Sequence, residues 1–95
     1  MDETDIKLAK MCSQIGDAVN LVKVGEFGKA KDTLENCKQT SECSICKHEL
    51  TIAIDNVSHT GEACNVDVKE CDMNKRRLIN DLSSLKRDIE AAIES

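Results

Sequence analysis

Between Leu8 and Ala92 the apolar residues of this chain recur at alternating intervals of three and four, and no proline interrupts them. That period lays each set along one stripe of an α-helix, so the chain is committed to packing helices on one another. The first stripe is Leu8, Cys12, Ile15, Val19 and Val22, with Met11 and Ala18 beside it and Thr4 or Asp5 as its cap. Val24-Gly25-Glu26 breaks it, and Phe27, Ala30, Leu34 and Cys37 resume the same spacing after a tight turn. The polar run Lys38-Gln39-Thr40-Ser41 reads as a second turn, with Ser41 as N-cap of a third helix. That helix carries Cys43, Cys46, Leu50, Ala53 and Val57. Its segment Thr51-Ile52-Ala53-Ile54 is β-branched but has no second strand to pair with, and helix is the stronger reading.

Residues 58–66, with Ser58, Thr60, Gly61 and Asn65, read as a loop closed by Asp67, which with Glu70 makes a variant of the capping box. The last stripe is Val68, Cys71, Lys75, Leu78, Leu82, Leu85, Ile89 and Ala92, with Ile79 and Ile93 on its flank. Lys75 interrupts the apolar repeat, which argues against a sustained coiled coil. The expected architecture is all-α: one helical domain over residues 1–95, with helices at about 4–22, 26–38, 42–57 and 67–93. They form a small four-helix bundle or two packed helical hairpins, with a long C-terminal helix. Phe27 is the single aromatic residue, so the core falls to Leu, Ile, Val, Ala, Met and Cys.

Eighteen acidic against thirteen basic residues leave a formal charge of −5, a field that opposes nucleic acid and anionic membranes. Every early apolar run is broken by charge, so no basic and apolar leader is visible, and no run reaches the length of a membrane span. The expectation is a cytoplasmic chain that neither binds nucleic acid nor inserts into membranes.

The cysteines make that expectation matter, because six in 95 residues exceed ordinary cytosolic usage. In a reducing compartment, clustered thiols bind metal or sense redox state more often than they form structural disulfides. Cys12 stands 25 positions from its nearest fellow and reads as a small hydrophobe filling the core. The other five follow the pattern Cys37-x5-Cys43-x2-Cys46-x17-Cys64-x6-Cys71. Zinc takes four thiolate or imidazole ligands at tetrahedral corners, about 2.3 Å away for sulfur, and a C-x2-C at a helix start supplies two from one side. Cys43, Cys46, Cys64 and Cys71 are therefore the expected zinc ligands, with Cys37, His48 and His59 in reserve. Cys64 can join Cys71 only if the chain turns back before Asp67, since seven positions on one helix span about 10.5 Å.

Two other uses of the same sulfurs compete with zinc. If the segments run antiparallel, Cys37 falls opposite Cys71, and Cys43 or Cys46 opposite Cys64, giving two disulfide rungs. An iron–sulfur cluster would be served equally well by thiolates at these spacings. No nucleophile, base and orienter stand together: His48-Glu49 lacks the second histidine of a zinc-protease helix, and C-x2-C has no βαβ context. The chain therefore reads as a small interaction or regulatory protein, not an enzyme, stabilised by cysteine-bound zinc. It would dock on a larger protein through a helical face such as that of the C-terminal helix. The alternative is a redox-responsive or metal-handling protein whose thiols switch between metal-bound and disulfide forms.

Overall fold

A computed structural model describes residues 3–41 and 43–94, Glu94 by its backbone alone. Four helices account for nearly all of them: α1 Glu3–Lys23, α2 Phe27–Thr40, α3 Ser44–Val66 and α4 Val68–Glu94. Helix α1 packs on α2 and α4, and α3 packs on α2 and α4, so the four close a ring with α1 diagonal to α3. This is the four-helix bundle expected from the spacing, 46 Å long and about 20 Å across. The stripes meet along its axis, where Ile15, Val22, Leu34, Leu50, Val57, Leu78 and Leu82 are almost wholly buried. No helix among the described residues is long and apolar enough to cross a membrane.

The three connections are short and each has a local cause. After α1 the Glu26 amide donates to the Leu21 carbonyl and the Gly25 amide to that of Val22. Gly25 adopts φ +83°, the left-handed conformation that this C-terminal motif requires. After α2 the buried Ser41 hydroxyl accepts from the Cys43 amide at 3.3 Å. Ser41 is thus not the N-cap of α3, as expected; Cys43 takes that place. The expected start of this helix at residue 42 lies outside the described residues.

The largest departure is at residues 58–66, which are helical rather than a loop, so α3 runs on to Val66. Thr60 is buried there and its hydroxyl donates to the Asn56 carbonyl, one helical turn back, at 2.7 Å. Gly61 lies against Phe27, whose ring atoms begin 3.6 Å from where a Cβ would stand. Residues that favour turns in isolation are held in helix by packing against α2. The break between α3 and α4 shrinks to Asp67, in extended backbone at φ −144°. Its carboxylate accepts from the Lys69 amide at 2.9 Å, the capping role expected of it.

Candidate functional site

The six cysteines occupy two regions of the bundle. At the α3–α4 junction, Cys64 in the last turn of α3 and Cys71 in the first turn of α4 form a disulfide across the Asp67 break, with Cα atoms 4.3 Å apart. Their convergence needs the chain to turn back before Cys71, and a one-residue break at Asp67, not a long loop, brings it about. Cys64 pairs with Cys71 itself, so the expected rungs from Cys71 to Cys37 and from Cys64 to Cys43 or Cys46 are not the pairing formed.

Cys43 and Cys46 stand at the opposite end of α3, about 30 Å away at 1.5 Å per residue. The fold therefore does not gather Cys43, Cys46, Cys64 and Cys71 around one centre. The reserve ligands do not complete either pair: His48 and His59 are exposed on α3, and Cys37 is buried on α2. Among the described residues no group of three or more His, Cys, Asp or Glu is placed to hold a metal ion.

The four cysteines outside the disulfide form a graded series from core to surface. Cys12 is buried in α1 and its thiol faces the Lys86 carbonyl at 3.7 Å. Cys37 is fully buried and faces the Met11 carbonyl at 4.0 Å. Burial raises the pKa of both thiols, that of Cys37 to about 11, with the neighbouring Cys12 adding to it. Cys46 is half-buried and also rises to about 11, through burial first and then through donating its S–H to the Cys43 sulfur. Cys43, exposed as the N-cap of α3, goes the other way. Its sulfur accepts from the Cys46 amide at 3.4 Å and from the Cys46 thiol, and its pKa falls below the ordinary 9.0.

Both of these cysteines border a groove of about 690 Å³ between α3 and α4, which Thr4 and Leu8 of α1 also line. Leu8, Leu82, Leu85 and Ile89 supply its apolar floor, and Ile45 and Ile52 stand at its side, 75% and 44% exposed. Glu49, Asp81 and Asp88 supply its charge, and among the described residues no Lys, Arg or His lines it. None of the site residues expected from the sequence other than Cys43 and Cys46 borders this groove. The signal for it lay in Ile45 and Ile52, seven positions apart, on a shared face beside the third stripe and redundant for the core.

No protein-family model, curated protein or solved structure matches this chain.

Proposed function

We propose that this chain is a small interaction protein that docks on a larger protein by holding one of its helices in the α3–α4 groove. The occupant is an amphipathic helix with an apolar stripe and basic flanks. The observation that carries this reading is the pairing of an apolar floor with three carboxylates and no cation among the lining residues. The groove follows α3 from Cys43 to Asn56 and α4 from Asp81 to Ala92, about 17–20 Å, which suits a helix of about 12 residues. Exposed Ile45 and Ile52 supply apolar area that the bundle does not use for itself.

The covalent support in this reading is the Cys64–Cys71 bridge rather than zinc, and catalytic turnover forms no part of it. That bridge weighs against the cytoplasmic setting expected from the sequence, because reducing compartments keep structural thiols free. The net charge of −5 favours a basic protein partner over nucleic acid.

Binding of a cysteine-free Leu/Lys amphipathic peptide, compared with the same peptide carrying Glu for Lys, tests the reading. Fluorescence anisotropy should show saturable binding of the Lys form, at least about tenfold tighter than the Glu form. Ile45→Asp should weaken it by about tenfold while leaving stability within about 0.5 kcal/mol, because Ile45 is three-quarters exposed. Equal binding of both peptides, or indifference to Ile45→Asp, would refute the groove as the docking surface.

A further inference from the structure

We propose that Cys43 and Cys46 form a thiol–disulfide exchange site, in which Cys43 attacks an exposed disulfide brought to the mouth of the groove and Cys46 resolves the product. The inference goes beyond docking and needs no helix in the groove.

Three features place the chemistry. The first is position: C-x2-C sets Cys43 at the N-cap and Cys46 one turn inside α3, with the Cys46 thiol hydrogen-bonded to the Cys43 sulfur. The Cys46 amide donates to the Cys43 sulfur at 3.4 Å, which holds that sulfur against the first turn in which Cys46 lies. The second is access: Cys43 is exposed, Cys46 half-buried behind it, and both border the groove, whereas Cys12 and Cys37 are sealed in the core. An incoming disulfide meets Cys43 first. The third is electrostatics: the Cys46 and Ile45 amides at the start of α3 support negative charge on Cys43, while burial and the same hydrogen bond keep Cys46 protonated. One partner is prepared as nucleophile and the other is held back as the resolving thiol.

The exchange balances without another reagent. Cys43, its proton lost to solvent, attacks one sulfur of R–S–S–R; a Cys43–S–S–R bond forms and R–S⁻ leaves, taking up a proton. Cys46 then loses its proton and attacks the Cys43 sulfur. The second R–S⁻ departs and is protonated, leaving a Cys43–Cys46 disulfide. Two protein thiols have been oxidised and one substrate disulfide has been reduced to two thiols, with two electrons transferred. The hydrogen bonds that lower the Cys43 pKa and the burial that raises that of Cys46 make Cys43 the thiol that ionises first.

The test exposes the full chain to glutathione disulfide in one arm and to a disulfide-linked peptide in the other, blocks free thiols with N-ethylmaleimide, and maps every cysteine by proteolysis and mass spectrometry. Formation of a Cys43–Cys46 bridge is expected, with Cys64–Cys71 unchanged. The faster arm identifies a small-molecule or a polypeptide disulfide as the better source. Cys46→Ser should halt the reaction at a mixed disulfide on Cys43. Cys43→Ser should abolish adduct formation at this end of the bundle while keeping the helix capped, since serine is a good N-cap. The site is overturned if no Cys43–Cys46 bridge forms in either arm, or if Cys46→Ser carries no adduct on Cys43. Because the docking peptide contains no cysteine, the two readings fail separately.

Discussion

The ammonium of Lys75 lies 5.8 Å from the centre of the Phe27 ring, joining the third position of the α4 stripe to the start of α2. The charge that interrupts the last apolar repeat is thereby accommodated: Lys75 is half-buried, with its cationic end over the ring face. Replacing it with Gln keeps much of the stem and removes the charge. Lys75→Gln should lower stability by about 0.5–1 kcal/mol in urea unfolding, and the loss should vanish in a Phe27→Leu background.

The Cys64–Cys71 bridge closes a loop of seven positions, for which the chain-entropy relation gives about 2.5 kcal/mol. The double variant Cys64→Ser, Cys71→Ser should unfold at lower denaturant by that amount with an unchanged helical signal. Circular dichroism during urea titration measures both. An unchanged midpoint would mean that Asp67 and the flanking helices alone hold the junction.

Glycine positions should separate by backbone conformation. Gly25→Ala forces a side chain into φ +83° and should cost about 1–2 kcal/mol, although nothing stands within 4 Å of the new methyl. Gly28→Ala, in the first turn of α2 and equally uncrowded, should instead add up to about 0.5 kcal/mol, part of the interior helix-propensity difference. Thermal melts of the pair test whether conformation, not space, sets the sign.

Alkaline pH should destabilise the bundle through its buried thiols. Cys37 is neutral in the fold up to about 11, whereas the unfolded thiol ionises near 9.0. The unfolded state therefore loses its proton first, and stability present below 9.0 falls as pH rises through about 11, by about 3 kcal/mol at most from this group. Cys43 has the opposite sign: its depressed pKa stabilises the fold above 9.0 and that contribution is lost as pH falls through the folded value. Urea midpoints across this range should decline, and Cys37→Ala should flatten the decline despite a lower starting stability.

Spacing alone revealed the four helices, because the 3,4 repeat survives wherever a helix must bury one face; Leu34, Leu50, Leu78 and Leu82 are in the core where the stripes put them. The breaks at Gly25 and Asp67 were equally legible, since each residue performs a local backbone task. Residues 58–66 were not, because their turn-forming side chains are overruled by contacts with Phe27, 34 positions away from Gly61. The site was half legible. Cys43 and Cys46 form a unit that local spacing reveals, but their distance from Cys64 depends on whether the intervening residues bend or continue as helix. Once Thr60 and Gly61 remain helical, a separation of 17 residues becomes a rod rather than a loop.

The one-residue junction at Asp67 lies inside the ring that the Cys64–Cys71 bridge closes. A protease that nicks the chain anywhere between these two cysteines therefore liberates nothing. Both fragments migrate as one species until a reductant is added, so at this end of the molecule backbone continuity and covalent integrity are separate properties.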